Sequence, residues 1–253
     1  VSQAFASHKA RAGAPSLQRD LLEQGLGVSE RTAGRALAKL GLRAKGTGKF
    51  KPTGSKKHHL STAPNLLGRQ FALAKPNQVW VMIDLHSRLV VGWQMDTRME
   101  QQLVCDALRG ALIVRGKPKG LMIHSDQGSQ YCSRDFRALL LTNNCIQSMS
   151  RRGNCWDNAV TESFFHTLKG HVVHGSLFAT RKEVNSVLFE YIEIYYNRIR
   201  RHSANGWLSP EAFEQKYFKN LEVLCSYVKI IPKSVYGNVE KSVKLQKEVV
   251  GAG

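Results

Sequence analysis

Acids are scarce in this chain: 19 Asp and Glu stand against 37 Lys and Arg, leaving a net charge of +18. A surplus of that size disfavours basic ligands. It favours a polyanion, because lysine and arginine displace counterions from phosphates. A basic protein that coats anionic lipid is the competing reading. Cysteine is sparse as well. There are five, Cys105, Cys132, Cys145, Cys155 and Cys225, and no two form a CxxC pair. The odd count and the missing pair speak against a disulfide framework or a zinc site and fit a reducing compartment. No apolar run approaches the roughly 18 residues that a membrane span needs. No secretory signal opens the sequence, and neither does an initiating methionine.

The 42% of hydrophobic residues over 253 positions suffices for one medium core and a small module. Residues 1–60 carry twelve Lys and Arg against three acids. Within them, Ser16 to Glu23 and Ser29 to Gly41 read as two short helices joined by a glycine-containing turn. Ser29 is the expected N-cap of the second helix and Gly41 its stop. Leu21, Leu22, Val28, Leu37 and Leu40 are the expected small core. Arg31, Arg35 and Lys39 recur every four residues and share one face. This is a helix-turn-helix pattern whose second helix would enter the major groove. An ordinary helical hairpin with a solvated basic face remains the alternative. Residues 46–75, Gly- and Lys-rich at their start, read as a basic linker.

From residue 76 the pattern alternates. Val79 to Ile83 and Leu89 to Met95 suggest an antiparallel hairpin around the turn His86-Ser87-Arg88. Met99 to Arg115 reads as a helix, and Gly120 to Asp126 as a short buried strand. Asp135 to Asn143 is a helix, Ile146 to Ser150 a strand and Arg151 to Asp157 a loop. Helices follow from Asn158 to about His174 and from about Arg181 to Arg200. Such alternation defines an α/β protein built on a mixed sheet flanked by helices.

Two carboxylates stand out. Asp126 closes an apolar strand, where sites in α/β sheets collect, and Gly128 lets the backbone turn away behind it. Glu162 falls near the start of a helix, whose positive end tolerates its charge. Lys169 lies seven residues on, almost two turns, and shares that face. Hard oxygen donors of this kind suit magnesium or manganese, and a pair of such ions can serve one phosphodiester. On spacing alone the two acids are weak evidence for a site, since acids commonly sit at strand ends and helix starts.

Residue identity adds more. His124-Ser-Asp-Gln-Gly-Ser-Gln-Tyr131, Ser148-Met-Ser-Arg-Arg-Gly-Asn-Cys-Trp-Asp-Asn-Ala-Val-Thr-Glu-Ser-Phe-Phe165, Tyr196-Asn-Arg-Ile-Arg-Arg-His-Ser203 and Leu208-Ser-Pro-Glu-Ala-Phe213 together resemble the DDE transposases of bacterial insertion sequences. That family is similar to the retroviral integrases and shares their ribonuclease-H-like core. Its second Asp and its Glu are separated by 35 residues, as Asp126 and Glu162 are here, and Lys169 matches the basic residue that follows. The resemblance, over about residues 10–218, implies a helix-turn-helix arm at 1–45, a linker at 46–75 and an integrase-like core at 76–218, with 219–253 unassigned. It also implies metal ligation by Asp126 and Glu162 with Mg2+ or Mn2+, double-stranded DNA as partner, homo-oligomers assembled on DNA, and a place in the bacterial cytoplasm with the nucleoid.

One departure matters. The family carries its first Asp on the first core strand, a few residues after a Trp like Trp80, with a turn and second strand following. Here Val79-Trp80-Val81 runs almost directly into Asp84-Leu-His-Ser-Arg-Leu-Val-Val-Gly-Trp93, which looks like the second and third strands. The resemblance therefore implies a core short of one strand and of its first ligand, and an enzyme catalytically defective as it stands. A slipped strand that puts Asp84 in the ligand's place is the alternative. Among the other residues, His124 reads as packed and hydrogen-bonded and Asn158 as a helix cap. Trp156 reads as packed beside the site or touching DNA, Cys155 as structural, and Tyr191, Tyr195 and Tyr196 as core. Arg198, Arg200, Arg201 and His202 form a basic cluster that either meets phosphate or is solvated.

Overall fold

The computed structural model describes residues 1–46, 60–152, 154–174 and 176–230, without the side chains of Cys155 and of residues 225–230. The first stretch of the expected linker, His58 and His59 included, and most of the unassigned tail lie outside the described residues. The chain forms two compact units. One comprises residues 1–52 and 163–210, the other residues 53–162 and 211–253.

The first unit opens with α1 (Ser2–Ser7), which the sequence did not announce, followed by α2 (Ala14–Glu23) and α3 (Glu30–Lys39). The Ser29 hydroxyl accepts from the Thr32 amide at 3.1 Å, so the expected cap forms. Gly41 ends the helix in the left-handed region at φ 64°, where a side chain would be strained. The small core is built from Phe5, Leu17, Ala33 and Leu37 together with Leu21. Leu22 and Leu40, expected inside, are exposed at 42% and 52%. The buried positions of α2 are Leu17 and Leu21, one turn apart, with Leu17 packed in the same cluster as Phe5 of α1. Helix α6 (Ala159–Leu168), whose residues from Ser163 onward belong to this unit, passes into a π-helical turn at Lys169–Val173. Helix α7 (Arg181–Phe189) continues as a π-helical stretch, Glu190–Ile199. Tyr191, Tyr195 and Tyr196 are buried core side chains, as expected. Ion pairs tie α1 and α2 to this segment. Arg11 meets Glu190 at 3.0 Å, and Arg201 meets Asp20 at 2.7 Å.

The second unit is built on a three-stranded parallel sheet in the order β1 (Val79–Trp80), β2 (Met122–Ser125), β3 (Ile146–Met149). β1 registers Val79 against Met122 and Trp80 against Ile123, and β2 registers Met122 through Ser125 against Ile146 through Met149. Between β1 and β2 runs α4 (Gln101–Val114), and between β2 and β3 runs α5 (Arg134–Thr142). Trp80, Leu108, Leu112, Ile123, Phe136 and Leu140 form the core between sheet and helices. Gly92 has no room for a side chain, since a Cβ there would stand 2.6 Å from the Ala107 carbonyl oxygen. Residues 60–75 hold no helix or strand yet are tied down. The Met149 amide donates to the Pro64 carbonyl at 3.2 Å, and the Leu66 amide donates to the Ser148 hydroxyl at 3.0 Å. α8 (Pro210–Ile230) closes the described chain, running from the first unit into the second.

The expected hairpin at 79–95 is reduced to isolated antiparallel bridges, Trp80 with Asp84 and Ile83 with Val90. The chain reverses straight after Trp80. Met82 sits at φ 60°, the Val81 amide donates to the Ile83 carbonyl, and the Leu85 amide returns to the Val79 carbonyl at 3.1 Å. The pairing of Trp80 with Asp84 turns the chain back before residues 79–83 can run as one strand.

Candidate active site

Asp126 stands one residue past β2, at the carboxyl end of the parallel strands. Its Oδ1 accepts from the Gly128 amide at 2.9 Å, which braces the turn behind the strand. The Cα of Gly128 lies so close to the Gln130 side chain that a Cβ would come within 2.6 Å of its amide nitrogen. Glu162 falls in the first turn of α6 and is exposed. Enough protein surrounds its carboxyl to desolvate it in part, and this raises its pKa above the ordinary carboxylate value. Neither Asp126 nor Glu162 carries an ion pair among the described residues, although cations outnumber acids in the chain about two to one. The sequence's other conspicuous acids are spent on arginines: Asp20 on Arg201, Asp157 on Arg69 and Arg151, Glu190 on Arg11 and Glu214 on Arg115.

Asp84 is fully buried, with its carboxylate enclosed by hydrogen-bond donors. Its Oδ2 accepts from the Asn77 amide and, at 3.2 Å, from the Trp80 indole. Its Oδ1 accepts from the His86 amide at 2.8 Å and the Ser87 amide at 3.3 Å. Burial raises its pKa, against those hydrogen bonds. The reversal after Trp80 carries it back toward the amino end of β1, whereas Asp126 lies at the carboxyl end of β2.

Asp157 has a role the sequence did not suggest. Its side chain is buried and receives the Arg69 Nε at 2.7 Å, the Arg151 Nε and Nη2 at 2.9 Å each, and the Asn65 amide at 2.9 Å. These partners, Arg151 first, hold its carboxyl far below the ordinary range. The anchored residue fixes the 3-10 turn Cys155–Asn158 that leads into α6 and Glu162. The signal available was one acid set in a loop with Arg151 and Arg152. Trp156, on the same turn, is 69% exposed. His124 is buried, with Nδ1 2.8 Å from the Ser148 hydroxyl and Nε2 3.1 Å from the Asp157 carbonyl. Burial lowers its pKa, so the ring is a neutral bridge between β2, β3 and the 3-10 turn. The cap expected from Asn158 does not form, and its Oδ1 is buried without a hydrogen-bond partner.

Lys169 opens the π-helical turn after α6, so its spacing from Glu162 is not that of an unbroken α-helix. Arg31, Arg35 and Lys39 are exposed on α3. The donor chemistry of Asp126 and Glu162, exposed oxygens without competing cations, suits a hard divalent ion. The set is nonetheless short. Among the described residues no three or more His, Cys, Asp or Glu side chains gather where they could hold a metal. No helix of the described residues is long and apolar enough to cross a membrane.

A parallel sheet with a carboxylate at its carboxyl edge, followed by a helix that carries a second, is the frame of an integrase core. Two family descriptions, both "Integrase core domain", match the chain, one over residues 70–155 and the other over 162–224. The chain is 44% identical over 233 residues to "Transposase InsF for insertion sequence IS3A" of Escherichia coli (strain K12), covering 85% of this chain and 81% of that protein. It is 42% identical over 222 residues to "Insertion element IS600 uncharacterized 31 kDa protein" of Shigella sonnei, covering 81% and 82% respectively. The chain belongs to the DDE-type insertion-sequence transposases. A more distant likeness, at 13% identity and a TM-score of 0.43, is to a chain of the simian T-cell lymphotropic virus intasome in complex with PP2A regulatory subunit B56 gamma. It covers 80% of this chain and 70% of that one.

Proposed function

We propose that this transposase binds the ends of its element through residues 1–45 and carries a ribonuclease-H-like core over 76–218 that is impaired in cutting and joining DNA. The helix pair α2–α3 is the helix-turn-helix module, with Arg31, Arg35 and Lys39 toward the DNA. Asp126 and Glu162 hold Mg2+ or Mn2+, and Lys169 meets a phosphate. When bound, the ion would supply Lewis acidity and an activated oxygen at the scissile phosphodiester. Asp126 is oriented for ligation by the Gly128 amide, and Glu162 by the turn that Asp157 anchors. The chain would act as a homo-oligomer on double-stranded DNA, in the bacterial cytoplasm with the nucleoid.

The observation that carries the impaired reading is the register of β1. With Trp80 opposite Ile123, a straight strand carried three residues further would bring a side chain beside Asp126. The family's first Asp belongs a few residues past that Trp. Here the chain has already turned at Met82, and the next acid, Asp84, is buried elsewhere. Two carboxylates offset the mutual repulsion of two divalent ions poorly.

The test is a strand-transfer assay on labelled element ends with Mg2+ or Mn2+. Binding without joining is the expected result. Robust joining that depends on Asp126 would overturn the impaired reading. A second reading rests on the same reversal after Trp80: a non-catalytic remnant that inhibits an intact relative by mixed assembly. Dose-dependent loss of the relative's joining activity on addition of this chain would favour it.

A further inference from the structure

Three cations of the first unit, Lys45, Arg11 and Arg200, lie against His171, Tyr191 and Tyr196 respectively. Lys45 is fixed at both ends. Its amide donates to the Ala10 carbonyl at 2.7 Å, and its ammonium to the His171 carbonyl at 3.4 Å. The Arg200 guanidinium lies 6.0 Å from the Tyr196 ring centroid and has no ion pair among the described residues. Its Nε is buried with no hydrogen-bond partner. Arg11 sits over Tyr191 and Tyr195, at 5.2 and 4.9 Å from their centroids, and its Nε is likewise buried and unpartnered. The acid at hand, Glu190, is already shared by Lys9 and Arg11. Asp20 is taken by His8 and Arg201.

Gathering like charges around aromatic rings, with two guanidinium nitrogens desolvated and unbonded, is unfavourable in the isolated protein. An anion seated there relieves both costs. Guanidinium and ammonium donors gathered around one anion suit the tetrahedral oxygens of a phosphate. We propose that Lys45 and Arg200, backed by Arg11, form a phosphate site additional to the α3 residues Arg31, Arg35 and Lys39. In the reading given above, that phosphate belongs to the DNA backbone, clamped beside the helix-turn-helix module. The same chemistry would accept a free phosphate or pyrophosphate. The neighbouring His171 senses these cations. Burial and then the field of Arg200, Arg11 and Lys45 lower its pKa to about 4. An anion among those cations would raise it.

The test compares the full chain with Lys45→Gln, Arg200→Gln and the charge-keeping Arg200→Lys, each checked for unchanged circular dichroism. Lys45 is exposed, so its variant keeps the measurement available if Arg200→Gln does not fold. Binding of a duplex element end is followed by anisotropy across a salt series. The slope of log affinity against log salt is expected to fall by about one for each lost cation, and Arg200→Lys to keep most of it. In parallel, inorganic phosphate and pyrophosphate alone are titrated against thermal stability. Stabilisation of the parent chain but not of the glutamine variants assigns the site to a free anion. A changed DNA slope without that stabilisation assigns it to the DNA backbone. Unchanged slopes together with no phosphate effect overturn the proposal. If the parent chain binds no DNA, the function proposed above fails, and the phosphate titration alone still decides this site.

Discussion

Trp80 and Asp84, four residues apart, form an antiparallel bridge, and the Trp80 indole donates to the Asp84 carboxylate at 3.2 Å. Both side chains are fully buried. This pairing makes the chain double back straight after Trp80, with Met82 at φ 60°. It stabilises the shortened β1 by giving its Trp a partner. It also removes the Asp84 carboxylate from solvent.

Replacing Asp84 is therefore expected to cost stability and leave metal affinity alone. Asp84→Ala leaves the Asn77, His86 and Ser87 amides and the Trp80 indole without their acceptor and takes a carboxylate from beside Arg115, 3.8 Å away. Removing one partner from such a buried charged network costs about 3–5 kcal/mol. Urea unfolding measures it. A variant of parental stability that has lost Mn2+ binding would show that Asp84 reaches the metal after all.

Asp157 gives a pH signature. Its folded-state pKa is depressed, with the hydrogen bond from Arg151 as the largest cause, so the stabilisation is fully present above the ordinary Asp value of 3.8. It is lost as pH falls below that value. Unfolding free energy measured from pH 6 downward should drop in the parent chain, and Asp157→Asn should remove part of the drop. At neutral pH Asp157→Asn should cost about 1–3 kcal/mol, a figure kept low because Arg69 and Arg151 are half exposed. An identical acid profile in the two proteins would mean that the arginines contribute nothing.

The sheet and helices from residue 101 to 149 were legible because each has a clean signal. Phe136 and Leu140 give α5 its apolar stripe and Ser133 its cap, and Ile123 with His124 mark a short buried run before a carboxylate. The 79–95 segment was not legible in the same way. Val79 to Ile83 has strong strand propensity, but a reversal at Met82 depends on the pairing of Trp80 with Asp84, a tertiary fact. Asp126 and Glu162 were visible through their motif rather than through periodicity. Asp157 was not, since its partners Asn65 and Arg69 come from a segment read as linker. Arg201 was read within a cluster available to phosphate and instead belongs to Asp20 and Glu23, because sequence distance hides contacts between the first helices and residues 190–201.

Divalent ion binding should report on Asp126 and Glu162 independently of any joining activity. With two carboxylates and no third, the chain is expected to take up a single Mn2+ weakly, as measured by the loss of free-ion electron paramagnetic resonance signal. Asp126→Asn should weaken it by about tenfold or more. The raised pKa of Glu162 means that its carboxyl gains a proton earlier on acidification than an ordinary Glu, so affinity should fall with acid from above the usual carboxylate range. Stoichiometric binding of two ions would show that a third donor exists.

The cap of α3 can separate folding of the helix pair from the DNA contact proposed for it. The Ser29 hydroxyl satisfies the Thr32 amide, and a helix of ten residues depends on its caps and its packing to form. Ser29→Ala should cost about 1 kcal/mol and lower thermal stability and DNA affinity together. Ser29→Asp keeps the cap and adds a charge that the helix's amino end favours, so stability should be retained or improved. If the amino end of α3 faces the major groove, that same charge meets phosphates, and affinity should fall although the fold is sound. Parental affinity in Ser29→Asp, with parental stability, would place the start of α3 away from DNA and leave the exposed Arg31, Arg35 and Lys39 as a solvated face.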